Sequence, residues 1–139
     1  MEKRTVVAGV LQDIHHVGIL IIKAALERSG FKVVDIGSRA AQEDFVRAAV
    51  ENNASAILIS TSTGQAELEC EGMKEKCQEA GLDNIVLYLG GNLVIDPRQE
   101  RKWEDIEKPF KQMGYNRVYS TTASIEAIVN DLKSDLGIQ

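Results

Sequence analysis

The chain has 139 residues, 44% of them hydrophobic and 27% charged, and a formal net charge of -5. That length supplies one core of ordinary domain size and no more. The acidic balance argues against nucleic acid as the main partner, because phosphate contacts need clustered cations, and no run of about 18 apolar residues is present to span a membrane.

In chain order, residues 5–11 read as a strand in which Val6, Val7 and Val10 are β-branched. The lead from Met1 to Thr5 shows no cleavage pattern of small residues, which predicts mature sequence and a cytoplasmic protein. Residues 17–29 follow as a helix, with Ile19, Ile22 and Leu26 at three-to-four spacing and Gly30 as the stop. A second strand covers 31–36 and a second helix 42–51, with Phe45, Val46, Ala49 and Val50 turned inward. The third strand, 56–60, is apolar throughout at Ile57-Leu58-Ile59, and a single third helix is expected over 65–80, ended by Gly81. Thr63 is a candidate cap for that helix. The fourth strand is 85–89, the fourth helix 103–113, the fifth strand 117–119 and the last helix 124–136, with Ser124 as its N-cap. Cys70 and Cys77 fall on the third helix, where two turns separate them by roughly 10 Å, too far for a disulfide.

Strands alternating with helices make βαβ units, and near-continuous apolar strands need helices on both faces. The expected fold is a single α/β domain over residues 1–139. It is flavodoxin-like (Rossmann-like), a five-stranded parallel sheet of order 2-1-3-4-5. Ligands of such sheets bind beyond the carboxyl ends of the strands, where the order reverses. Four chain segments leave the strands there: Gln12-Asp13-Ile14-His15-His16-Val17-Gly18, Ser60-Thr61-Ser62-Thr63-Gly64, Gly90-Gly91-Asn92 and Ser120-Thr121-Thr122. All four ends on that rim are read as small, hydroxylic or glycine, which leaves a slot for a large ligand.

Asp13 and His15 are two apart, and on an extended segment such residues point the same way. Asp13 then accepts a hydrogen bond from one ring nitrogen of His15 and leaves the other free for a metal. His16 has no acid at that offset and is read as packing or hydrogen bonding to whatever covers the loop. The chain has only two histidines, both here, and two distant cysteines. A metal on His15 therefore needs a macrocycle, a corrin or a haem, to complete its coordination. The ordinary reading of the same stretch is a surface loop histidine beside a helix start.

Asp-x-His-x-x-Gly after the first strand, a Ser-led turn after the third and Gly-Gly after the fourth together resemble the cobalamin-binding domain family. Within it the chain is most similar to the small subunits of glutamate mutase (methylaspartate mutase). The likeness runs the whole length, through Glu43-Asp44-Phe45, Glu79-Ala80-Gly81-Leu82 and Met113-Gly114-Tyr115. The resemblance implies adenosylcobalamin as cofactor, with His15 as axial cobalt ligand in place of the cofactor's own base and Asp13 orienting it. Gln12, Ile14, His16 and Gly18 frame that loop. The displaced nucleotide tail enters the slot, lined by Ser60, Thr61, Ser62 and Gly64 and passed by Gly90 and Gly91. The backbone of Asn92, Leu93 and Val94 holds its polar groups, and Thr121 and Thr122 close the far end. It further implies no catalytic residue on this chain alone. A large barrel-type catalytic subunit covers the cofactor in a heterotetramer that isomerises L-glutamate to 3-methylaspartate by radical rearrangement.

The sequence departs from the family at Ser62, where an apolar residue is expected, at Thr63, where an aromatic is expected, and at the charged stretch from Asp96 to Lys102. Rival readings remain. A corrinoid carrier for methyl transfer shares the three motifs but usually has a helical cap before the first strand. A receiver domain needs an Asp ending the third strand and a Lys ending the fifth, where this chain has Ser60-Thr61 and Ser120-Thr121. A flavodoxin needs a phosphate loop after the first strand, and a haem protein needs an apolar pocket in place of this polar rim.

Overall fold

Runs such as Val6-Val7-Ala8 and Ile57-Leu58-Ile59 offer no polar face to water, so they become strands covered on both sides. In the computed structural model, which describes residues 4–12, 17–91, 93 and 102–138, these strands are β1 (Thr5–Val10), β2 (Lys32–Asp35), β3 (Ala56–Ser60), β4 (Val86–Gly90) and β5 (Arg117–Val118). They pair in parallel in the order β2-β1-β3-β4-β5, as the alternation of elements predicts. The helices are α1 (Val17–Arg28), α2 (Gln42–Glu51), α3 (Ala66–Glu69), α4 (Met73–Glu79), α5 (Trp103–Gln112) and α6 (Ile125–Asp135).

The pleat sorts each strand's side chains onto two faces. Val6, Ala8, Val10, Leu58 and Tyr88 pack with Ile19 and Leu26 of α1 and Ile128 and Leu132 of α6. Val7, Leu11, Ile57, Ile59, Leu87 and Leu89 pack with Phe45 of α2, Met73 of α4 and Phe110 of α5. Ser124 caps α6 as expected, its Oγ accepting from the Ala127 N–H at 3.0 Å. Among the described residues no helix is long and apolar enough to cross a membrane.

The single helix expected over residues 65–80 is two helices, broken at Cys70-Glu71-Gly72. Gly72 adopts φ 88°, a left-handed turn open mainly to glycine. The break frees carbonyls that a continuous helix would pair, and two distant side chains take up three of them. Gln42 Nε2 donates to the carbonyls of Glu69 at 2.6 Å and Glu71 at 2.8 Å, and the Tyr115 hydroxyl donates to that of Cys70 at 2.9 Å. Thr63 also differs from expectation. Its hydroxyl accepts from the Gln65 N–H at 3.2 Å in the turn before the helix, and the N-cap position is Gln65, without a side-chain cap. Cys70 lies at the start of the break and Cys77 within α4, both buried and both free thiols. Burial pushes the Cys70 thiol up to about 12, so it stays protonated and inert.

Candidate functional site

Strand register decides which residues face the carboxyl-end slot. Leu58 pairs with Tyr88 and Ser60 with Gly90 across β3 and β4. Ser60 and Gly90 therefore point to the same face as Leu58 and Tyr88, toward α1 and α6. There they line a cavity of about 190 Å³ together with Gly18, Ile19 and Ile22 of α1, Gly91, Tyr119, Ser120 and Thr121. Its interior is mainly aliphatic and aromatic, and its mouth is glycine and hydroxyl. Pockets that swallow a whole drug-sized ligand span about 300–1,000 Å³. This one has room for a fragment such as an aromatic base, while a macrocycle bearing it must lie outside, over the rim.

Two glycines shape the mouth in different ways. A Cβ on Gly90 would sit 3.8 Å from the Tyr119 Cβ, in ordinary contact on the slot face, so glycine here keeps the slot wide. A Cβ on Gly91 would come within 2.2 Å of the Thr61 carbonyl oxygen, and Gly91 has φ +107°. Gly91 thus lets the β4 exit press directly on the backbone at Thr61. Gly18 lies in the first turn of α1, and nothing stands within 4 Å of where its Cβ would be, so the helix start is open toward the cavity.

The far wall is Tyr88 and Tyr119, edge to face with ring centroids 5.5 Å apart. Their hydroxyls turn away to α6: Tyr88 donates to Asp135, and Tyr119 donates to Asp131 Oδ2 at 2.8 Å. Arg117 holds Asp135 bidentately, Nε to Oδ2 at 2.7 Å and a terminal nitrogen to Oδ1 at 3.0 Å. The guanidinium holds the Asp135 carboxyl below its usual range, while burial chiefly pushes both tyrosines up. The result is a braced aromatic wall that presents ring carbon to the cavity.

Of the residues read from sequence as lining the slot, Gly18, Ser60, Gly90, Gly91 and Thr121 border the cavity. Thr61, next along the pleat, turns the other way: it is fully buried and its hydroxyl donates to Glu69 Oε2 at 3.3 Å. Ser62 and Gly64 follow it out of the cavity lining, and Leu93 is buried in the core on the α2–α5 side. Thr122 is exposed beyond the lining, its hydroxyl 2.8 Å from that of Ser120. Gln12 holds φ 53° as β1 ends, with its N–H donating to the Ala40 carbonyl at 3.0 Å. A left-handed non-glycine residue is uncommon, and this one turns the chain at the rim just before position 13. Asp13, Ile14, His15, His16, Asn92 and Val94 lie outside the described residues.

The aromatic wall escaped the sequence reading. Its signal was present in part: Tyr88 is two residues before Gly90, as Leu58 is before Ser60, and so shares its face. Among the described residues no three His, Cys, Asp or Glu side chains converge as a metal site. An apolar pocket with a hydroxyl- and glycine-rich mouth beside the β1 exit fits a corrinoid whose tail enters the fold and whose ring stays over the rim.

Comparison with known proteins agrees with that fit. The B12 binding domain family matches residues 3–107. The glutamate mutase sigma subunit of Clostridium tetani is 48% identical over 140 residues, covering 100% of both chains. Among solved structures, a cobalamin-binding protein from Desulfitobacterium hafniense superposes with TM-score 0.76 at 18% identity, over 96% of this chain and 60% of that one. A receiver domain of a response regulator from Mycobacterium tuberculosis reaches TM-score 0.66 at 17% identity, over 99% of both chains, so the scaffold is shared by proteins of different function and the fold alone does not assign one. The family match and the full-length likeness do: the chain belongs to the B12-binding domain family, among the sigma subunits of glutamate mutase.

Proposed function

We propose that this chain is the cobalamin-binding small subunit of an adenosylcobalamin-dependent glutamate mutase, one cytoplasmic domain over residues 1–139 that works with a separate, barrel-type large subunit in a heterotetramer. The observation that carries the reading is the convergence of Gly18, Ser60, Gly90 and Gly91 from three strand exits on one apolar cavity, in a chain that matches sigma subunits end to end.

In this reading His15 is the axial cobalt ligand and Asp13 orients its ring. Ser60 offers a hydroxyl to the buried base, Ile19, Ile22, Leu58 and Tyr88 exclude water around it, and Gly90 and Gly91 let the tail through. The cofactor, when bound, supplies the radical chemistry; this chain supplies position and shielding. Among the described residues the cavity lining carries no acid–base pair, and in this reading the large subunit holds the substrate site.

Mixing the chain with the large subunit and adenosylcobalamin tests this. Conversion of L-glutamate to 3-methylaspartate, absent when either chain is left out, is the expected result. A chain that carries a methyl group from cob(I)alamin to a methyltransferase, and yields no methylaspartate with the large subunit, is a corrinoid carrier instead.

A further inference from the structure

One carboxylate reaches two hydroxyls of the turn from residues 61 to 64. Glu69 Oε2 accepts from the Thr61 hydroxyl at 3.3 Å and from the Thr63 hydroxyl at 2.9 Å. Thr61 is fully buried, so its hydroxyl needs a protein partner. Glu69 is itself anchored. It is the last residue of α3, and its carbonyl and that of Glu71 are gripped by Gln42 while Tyr115 grips the one between. The break after α3 therefore serves as a fixed mount.

What the turn carries is the mouth of the cavity. Ser60 precedes it and lines the cavity. The Thr61 N–H donates to the Gly90 carbonyl at 3.1 Å, and the Thr61 backbone is the surface against which Gly91 is pressed too closely to admit a Cβ. Moving Thr61 moves Ser60 and Gly91 with it.

We infer that Glu69 is a positioning residue for the cofactor's nucleotide tail. By drawing both threonine hydroxyls to the α3 side, it keeps the turn off the slot and sets the width between Ser60 and Gly91. Glu69 does not itself line the cavity. The inference rests on the cofactor reading above and adds to it a residue on the far face of the sheet.

The test compares two probes on the full-length chain: hydroxocobalamin, which has the tail, and cobinamide, which lacks it. Glu69→Ala should weaken hydroxocobalamin binding about 10-fold, the scale of one or two lost hydrogen bonds, and leave cobinamide within about twofold. Glu69→Gln keeps an acceptor oxygen for both threonines and should recover most of the loss. Thr61→Val, which matches the side chain's shape, removes the buried bond from its other end and should act in the same direction. A wild-type preference for hydroxocobalamin that survives both Glu69→Ala and Thr61→Val overturns the positioning role alone. Equal weakening of the two probes also overturns it, since that is the mark of general loss of structure. A wild-type chain with no preference for hydroxocobalamin overturns the tail reading, and the positioning role with it.

Discussion

His15→Ala is expected to lower mutase turnover of the reconstituted complex by at least about 100-fold, beyond the roughly 10–100-fold typical for loss of a residue that only orients a metal ligand. Asp13→Asn, which in the proposed function would remove only such an orienting partner, should fall inside that 10–100-fold range. The gap between the two follows from how few substitutes the chain offers. It has two histidines, at adjacent positions, and His16 lacks the acid two residues before it that would fix its tautomer. Both cysteines are buried in the core on the α2–α5 side, away from the cavity, and the Cys70 thiol is pushed up to about 12 by burial, so neither supplies a thiolate. Turnover of His15→Ala at the wild-type rate, with saturating adenosylcobalamin and large subunit, contradicts the axial role.

The second large effect is structural and centres on Gly91. Gly91→Ala should destabilise the fold by about 3 kcal/mol or more, at the upper end of ordinary single substitutions. Its Cβ would fall 2.2 Å from the Thr61 carbonyl oxygen and 2.9 Å from the Thr61 nitrogen, at φ +107°. Both obstacles are backbone at the exit of β3, and neither can rotate away as a side chain could. Gly90→Ala is the natural control. Its Cβ meets only Tyr119 atoms at 3.8 and 3.9 Å, so stability should change by less than about 1 kcal/mol. The added methyl points into the slot, however, and should weaken hydroxocobalamin binding. Denaturant midpoints separate the pair: similar midpoints for both variants would show that the approach of Gly91 to Thr61 is not tight.

Much of this was legible in the residues. Strand order, helix placement and the carboxyl-end location of the site follow from apolar runs and their alternation, which are local signals. The motifs Gly18, Ser60 and Gly90-Gly91 could be placed at one rim because the topology brings strand exits together whatever the intervening helices do. What was not legible depends on partners far along the chain. Gly72 permits a helix break without requiring one, and the donors that make the break tolerable come from Gln42 and Tyr115. The run Ser60-Thr61-Ser62 reads as uniformly hydroxylic, yet the pleat gives Ser60 to the cavity and Thr61 to Glu69. Counting in twos from Leu58 along the strand makes that division. The braced wall of Tyr88 and Tyr119 joins β4, the β5 exit and α6 through Arg117, Asp131 and Asp135, and no spacing in the sequence brings these residues together.

In the proposed function a histidine nitrogen of this chain would hold the cobalt in place of the cofactor's own base. The most direct measurement is the electron spin resonance spectrum of the chain loaded with hydroxocobalamin and reduced to cobalt(II), prepared once with ordinary protein and once with protein labelled with nitrogen-15 histidine. The predicted result is a change of the axial nitrogen splitting from triplets to doublets on labelling, because the coordinating nucleus then belongs to the protein. Triplets that persist in the labelled sample would mean that the cofactor's base is still on the metal, and would contradict it.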